Sequence, residues 1–106
     1  LAARKVDLAS RAQLSGNSNE SQTDILLTEA SIAVAEAKII STRSSLLVCE
    51  RVYDIGGAST TQKGLNLDRH WRNARTHTTH DSLDYKYKAV GNYLVNDIPP
   101  PISFLY

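Results

Sequence analysis

Apolar residues recur at helical spacing along most of the chain, and no segment shows a convincing strand pattern. The longest helical pattern runs from Asp24 to Asp54 without a glycine or proline, and it would extend roughly 45 Å. Its apolar positions include Ile25, Leu26, Ile32, Ile39, Leu46 and Val52. Because a single helix of this kind is not stable in water by itself, it is expected to pack in a bundle.

Polar and glycine-rich segments mark both ends of this long helix. Residues 15–21 form a Gly/Ser/Asn linker, after which Ser21 or Thr23 is positioned to cap the helix. Gly56-Gly57 is expected to end the helix with a residue in the left-handed conformation.

Three shorter helices and a tail complete the predicted fold. A first helix covers about residues 1–13, and a polar turn over 58–64 precedes a helix that begins at Leu65 or Asn66. The last helix covers about residues 83–94 and is capped by Asp81 or Ser82. An extended tail follows over residues 95–106, and it is apolar from Ile102 onwards. The long helix carries small residues that let a neighbouring helix approach closely, namely Ala30, Ala33, Ala35, Ala37 and Ser41. The predicted fold is therefore all-α, a four-helix bundle truncated at its N-terminal side.

Length and composition narrow the classes of protein. The chain has 106 residues and no methionine, so we expect one domain that is a fragment of a larger protein. A net charge of +1 argues against a nucleic-acid partner. The single cysteine, Cys49, excludes an internal disulfide and lies in an apolar helical run, where a buried small hydrophobe is expected. No apolar run approaches the roughly 20 residues that span a bilayer, so we expect no membrane partner and a cytoplasmic location.

The segment from Asp68 to Asp81 concentrates the candidate chemistry. It holds three arginines, all three histidines and the only tryptophan. Such a concentration of cations, imidazoles and a large ring suggests a site for a flat, anionic ligand. Near the end of the predicted helix, His77, His80 and Asp81 follow the arginines.

Other interpretations of this segment stay open on the residues alone. Asp68 and Arg72 have the i,i+4 spacing of an ion pair, Trp71 is expected to be largely buried, and arginines commonly form a solvated helix face. A zinc site built from the histidines and Asp81 fits no standard ligand spacing. A basic helix for nucleic acid is disfavoured because aspartates flank the segment.

The run from Gly56 to Asp81 resembles the C-terminal helical domain of the acyl-CoA dehydrogenase superfamily, and especially its flavin-dependent monooxygenase branch. That branch carries the segment D-R-x-W-R-N-x-R-T-H-x-x-H-D-P, then Y-K, a glycine and a proline-bearing tail. Residues 68–81 match it, and Tyr85-Lys86 or Tyr87-Lys88, Gly91 and Pro99-Pro100-Pro101 follow. Ser82 stands where the branch has its proline.

The resemblance also separates two chemistries. Acyl-CoA dehydrogenases often carry a catalytic glutamate in a Y-E-G-T turn, and the corresponding positions here are His80-Asp81 and Ser82-Leu83. Asp81 is one methylene shorter than glutamate, and a base must reach the proton that it removes. The histidines fit the monooxygenase branch better, because imidazole titrates near neutral pH and suits proton transfer beside a reduced flavin that reacts with O₂.

By this resemblance, His80 and His77 are the expected catalytic residues. Arg75, Ser59 and Arg72 are the expected cofactor-binding residues, and no metal is expected. The implied cofactor is reduced flavin, FMN rather than FAD, which the fragment alone need not bind. The implied partners are a small-molecule substrate, a separate flavin reductase and further copies in a dimer or tetramer. The alternatives are an FAD-dependent acyl-CoA dehydrogenase and a non-catalytic helical interaction module.

Overall fold

A computed structural model describes residues 1–16 and 19–101, and within these ranges the chain forms helices and no strand. The α-helices are α1 (Ala2–Ser15), α2 (Glu20–Gly56), α3 (Asp68–His80) and α4 (Leu83–Asn96), with two short 3-10 helices at Ala58–Thr61 and Lys63–Leu65. The prediction of an all-α fold with four helices is therefore confirmed. Two compact units divide the chain: a terminal unit of Leu1–Ile39 and Asp84–Tyr106, and a middle unit of Ile40–Leu83.

The connection between α1 and α2 is shorter than the predicted linker. The first helix ends at Ser15, and its C-cap residue Gly16 adopts the left-handed conformation at φ 60° and ψ −2°. The second begins at Glu20, where the carbonyl oxygen of Asn19 accepts from the Gln22 amide at 2.8 Å. Ser21 and Thr23 therefore lie inside the first turn, and their predicted capping role at the helix start is wrong. Residues 17 and 18 of the predicted linker lie outside the described residues.

The end of α2 follows the predicted glycine pair but with a different backbone. Gly56 is the last helical residue, and Gly57 has φ 66° and ψ −169°. The positive φ favours glycine, yet the extended ψ differs from the predicted left-handed terminator. This conformation turns the chain directly into the first 3-10 helix.

The third helix begins later than predicted, because Asn66 interrupts the helical path. Asn66 adopts the left-handed conformation at φ 49° and ψ 36°, immediately after the second 3-10 helix. A residue in that conformation cannot continue a right-handed helix, so α3 starts at Asp68 and not at Leu65 or Asn66.

The fourth helix begins at Leu83, as predicted, and continues to Asn96, two residues beyond the predicted end. The tail therefore begins at Asp97, not at residue 95. Pro100 is buried, whereas Pro99 and Pro101 are exposed. The apolar tail predicted from Ile102 lies outside the described residues.

Small side chains form most of the core of the terminal unit. Its buried apolar residues are Ala9, Ala30, Ile32, Ala33, Ala35 and Ala89. Three of the five small residues singled out in the long helix are therefore in the core, whereas Ala37 and Ser41 are exposed. Lys5 of α1 and Glu29 of α2 add an ion pair, with Nζ and Oε2 3.3 Å apart. The predicted apolar positions Ile25 and Val52 are instead 56% and 37% exposed.

Within the described residues, no helix is both long enough and apolar enough to span a membrane.

Candidate functional site

All the predicted site residues lie in the middle unit, and their side chains are exposed. Ser59 belongs to the first 3-10 helix, whereas the arginines and histidines belong to α3. The exposed residues of the predicted site are, in chain order, Ser59, Arg72, Arg75, His77 and His80. The structure thus presents these groups at a surface and not in an enclosed cavity.

The two histidines share one side of α3, and Arg75 lies on another. With 3.6 residues per turn, His77 and His80 are separated by about 60° around the helix axis. By the same geometry, Arg75 lies about 140° from His80, and Arg72 lies about 80° from it. The helix therefore groups His77 with His80 but does not bring Arg75 beside either of them.

Arg72 makes two side-chain contacts at the start of α3. Its Nη1 donates to the Asp68 carboxylate, so the predicted ion pair is confirmed. Its Nη2 donates to Oδ1 of Asn66 at 3.2 Å. The contact with Asn66 was not expected, because the five residues between the two positions include the start of the helix.

Arg75 is held from its C-terminal side by a threonine. Its Nη1 donates to Oγ1 of Thr78 at 3.0 Å, and that hydroxyl donates to the Arg75 carbonyl oxygen at 2.8 Å. Thr78 is the buried residue of α3. A buried hydroxyl thus holds one edge of the guanidinium, while Arg75 as a whole is exposed.

Ser59 lies where the glycine pair turns the chain. Its hydroxyl donates to the Gly56 carbonyl oxygen at 3.2 Å and so closes the end of α2. The neighbouring Thr60 hydroxyl donates to the Gly57 carbonyl oxygen at 2.6 Å. Two consecutive hydroxyl groups thus stabilise this turn, and the Ser59 oxygen keeps acceptor capacity for a ligand.

Trp71 is 44% exposed, so its predicted burial is wrong. Around the helix it lies about 20° from Thr78 and about 60° from Ala74, at the border of the inner face. The ring is therefore only partly covered, although it lies close to the direction of the buried Thr78.

This exposure lowers the expected effect of removing the ring. Trp71→Ala should destabilise the chain by about 2 kcal/mol or less, below the roughly 3–5 kcal/mol typical of a buried tryptophan. Urea unfolding of the wild-type and variant chains measures the difference, and Trp71→Phe is the matched control that keeps an aromatic ring. A loss of more than about 3 kcal/mol would show that the ring is buried in solution.

The described residues contain no group of three His, Cys, Asp or Glu side chains arranged to hold a metal ion. Cys49 is a free thiol of intermediate burial. The chemistry that α3 presents is therefore that of imidazole, guanidinium and hydroxyl groups.

Comparison with known sequences relates the chain to larger monooxygenases. It is 41% identical over 73 residues to the probable FMNH₂-dependent monooxygenase SfnC of Pseudomonas putida, which covers 69% of the chain. It is 40% identical over 76 residues to the dibenzothiophene monooxygenase of Mycolicibacterium goodii, which covers 72% of the chain. The matched region spans 18% of the length of each of these relatives.

Solved structures show the same relationship in three dimensions. The methanesulfinate monooxygenase MsuC of Pseudomonas fluorescens superposes with a TM-score of 0.71 at 34% identity, over 99% of this chain and 27% of its own. FMN-bound TdsC of a Paenibacillus species superposes with a TM-score of 0.72 at 30% identity, over 99% of this chain and 28% of its own.

A family profile for the C-terminal domain of acyl-CoA dehydrogenases matches residues 2–85, which include α1, α2 and α3. The match covers both Ser59 and the whole segment from Asp68 to Asp81, and thus every predicted site residue. With the four helices and the two kinds of relative, it establishes that the chain belongs to the family of acyl-CoA dehydrogenase C-terminal domains.

Proposed function

We propose that this chain is the C-terminal helical domain of a flavin-dependent monooxygenase, which uses reduced FMN and O₂ to oxygenate a small molecule. The observation that carries the proposal is the exposed pair His77 and His80 on α3, within the segment that resembles the monooxygenase branch. The similarity to a probable FMNH₂-dependent monooxygenase and to FMN-bound TdsC supports FMN over FAD.

The chemistry of α3 and the 3-10 turn fits a flavin in part. The Arg75 guanidinium is exposed, so it suits an anionic cofactor group. The Ser59 hydroxyl lies on an exposed turn and keeps acceptor capacity, so it suits a hydroxyl or N–H donor of the cofactor. Both terminal nitrogens of Arg72 already donate to neighbouring side chains, so Arg75 is the better candidate for the anionic group. The exposure of all these groups supports a site that other parts of the parent protein complete.

When bound, a reduced flavin supplies the electrons that activate O₂. In this proposal His80 holds or transfers a proton at its imidazole, and His77 assists from the same side of α3. Arg75 and Ser59 orient the cofactor. Asp81 has a structural role at the junction that precedes Leu83, the first residue of α4.

A small organosulfur compound is the proposed substrate class. One relative is named for dibenzothiophene and another for methanesulfinate, and both of these compounds contain sulfur. The parent protein would be supplied with reduced FMN, which supports a separate flavin reductase as a partner, and it would act in the cytoplasm.

The test of the proposed function uses the full-length parent protein with reduced FMN, ¹⁸O₂ and an organosulfur compound. Mass spectrometry should find one ¹⁸O atom in the product, and no labelled product should form without reduced flavin. Anaerobic reduction of a dye by an acyl-CoA, with no ¹⁸O incorporation, would instead establish a dehydrogenase. Absence of any flavin-dependent reaction would favour a non-catalytic helical module.

We further propose that the parent protein forms a dimer or tetramer through α2. In the middle unit, this helix exposes Ile40, Leu47, Val48 and Ile55 to extents of 65%, 52%, 66% and 88%. These side chains lie within about 100° of one another around the helix. A contiguous apolar stripe of this kind is typical of an association surface.

A charge within this stripe should weaken the assembly. We expect Val48→Glu in the full-length protein to shift the mass measured by light scattering towards the monomer. Glu50→Lys, at an exposed position on another side of the same helix, is the matched control and should keep the wild-type mass. An unchanged mass for Val48→Glu would show that the stripe is covered within one copy of the parent protein.

A further inference from the structure

We propose that Arg72 is a positioning residue, which fixes the start of α3 through Asn66 and Asp68 and so sets how α3 presents His77 and His80. The role of the two histidines in this proposal rests on the proposed function. The contacts at the start of α3 do not depend on it.

The start of α3 lacks the usual stabilisation. Its N-cap residue is Leu67, which provides no side-chain hydrogen bond to the helix amides. Polar N-cap side chains normally satisfy one of those free amides. The carbonyl oxygens of Asn66 and Leu67 accept from the Arg69 and His70 amides at 3.2 Å. The side-chain contacts of Arg72 add to these backbone bonds.

Asn66 connects the preceding 3-10 helix to α3. Its amide donates to the Lys63 carbonyl oxygen at 3.2 Å, and its own carbonyl oxygen accepts from the Arg69 amide at 3.2 Å. Its side-chain Oδ1 accepts from Nη2 of Arg72. Asn66 also adopts the left-handed conformation, so the chain changes direction at this residue.

The guanidinium of Arg72 joins the two sides of this bend. One terminal nitrogen donates to Asn66, before the helix, and the other donates to Asp68, in its first turn. A planar guanidinium fixes two acceptors relative to each other, which the single ammonium of lysine does not do. Because α3 is a continuous helix of 13 residues, a change of direction at its start is transmitted to its last turn, where the two histidines lie.

Each of these contacts is exposed and individually weak. Their value lies in geometry, because catalytic groups must be held within a narrow range of positions to act. We therefore expect Arg72 to affect the direction of α3 and the reaction more than it affects global stability.

The first measurement is hydrogen exchange in the full-length parent protein. Arg72→Gln should lower the protection factors of the Arg69 and His70 amides by about threefold to fivefold, the scale of one exposed ion pair. Arg72→Lys should give a similar loss, because lysine keeps the charge but not the fork. Arg69→Gln, an exposed arginine on the same helix, is the matched control for the His70 amide. Unchanged protection in Arg72→Gln would overturn the proposal, whether or not the protein binds flavin.

The second measurement separates positioning from contact with the cofactor. A residue that binds the phosphate of FMN affects FMN but not riboflavin, which has no phosphate. Arg72→Gln should change the Kd values of FMN and riboflavin by the same factor, and it should lower kcat at saturating FMN by about tenfold because the histidines are displaced. Arg75→Gln should instead weaken FMN selectively.

Four further outcomes bear on the proposal. The double variant Arg72→Gln/Asn66→Ala should have a kcat no lower than that of the slower single variant, since both changes break one unit. A selective loss of FMN in Arg72→Gln, or an unchanged kcat at saturating FMN, would overturn the positioning role. If the wild-type parent binds no flavin, the proposed function fails, and the protection factors alone decide whether Arg72 fixes the start of α3.

Discussion

Replacing His80 with alanine in the full-length parent protein should lower the rate of substrate oxygenation by about 10²–10⁴-fold, the usual effect of losing one positioned proton-transfer group. The imidazole is exposed at the last residue of α3, so its removal leaves no cavity in the middle unit. Flavin binding and the circular dichroism spectrum should therefore be retained. Stopped-flow oxidation of the reduced flavin, together with product analysis, measures the chemical step directly.

Asp81 provides the control for this experiment. It is partly buried and follows His80 directly, between α3 and α4. Asp81→Asn should mainly lower stability and leave most of the oxygenation rate. If Asp81→Asn abolished turnover of an acyl-CoA and His80→Ala had little effect, the dehydrogenase chemistry would be correct. If neither change affected a flavin-dependent reaction, the two residues would have structural roles only.

The parts of the site that sequence could predict are those determined within one helix. Asp68 and Arg72 are four residues apart on α3, so their ion pair follows from helix geometry alone. The shared side of His77 and His80 follows in the same way. By contrast, the contact between Asn66 and Arg72 crosses a helix boundary that the sequence pattern placed too early. The exposure of Trp71 depends on which side chains cover the ring, and helical spacing contains no such information.

The fold shows the same division between local and non-local causes. The period of apolar residues correctly predicted the existence of α2, and the polar pair Asp81-Ser82 correctly indicated the start of α4 at Leu83. The ends of α2 were less predictable, because several polar residues near each end compete to cap or terminate a helix. At its start, the carbonyl oxygen of Asn19 accepts the first amide hydrogen bonds, and Ser21 lies inside the first turn. At its end, glycine was predicted correctly, but its backbone conformation depends on the 3-10 turn that follows.

The glycine pair at the end of α2 is the position where one added methyl group should have the largest structural effect. Gly57 combines φ 66° with ψ −169°, a region that is essentially restricted to glycine. At Gly56, an added Cβ would lie 2.0 Å from Cγ2 of Thr60. Thr60 is β-branched, and its hydroxyl donates to the Gly57 carbonyl oxygen, so rotating its side chain away would break that hydrogen bond. Gly56 is thus required by its contact with Thr60, and Gly57 by its own backbone conformation.

We therefore expect Gly57→Ala to destabilise the chain by about 1–3 kcal/mol through backbone strain, and to lower its thermal midpoint by about 5–15 °C. Calorimetry of the wild-type and variant chains measures this change. Gly91→Ala is the matched control, since an added Cβ there meets no described atom within 4 Å and the position lies inside α4. Alanine at Gly91 should raise stability by about 0.5–1 kcal/mol, because glycine loses more backbone entropy in a helix. Equal, small effects of the two substitutions would mean that the turn after α2 adopts another conformation in solution, and the orientation of the Ser59 hydroxyl would then have to be assigned anew.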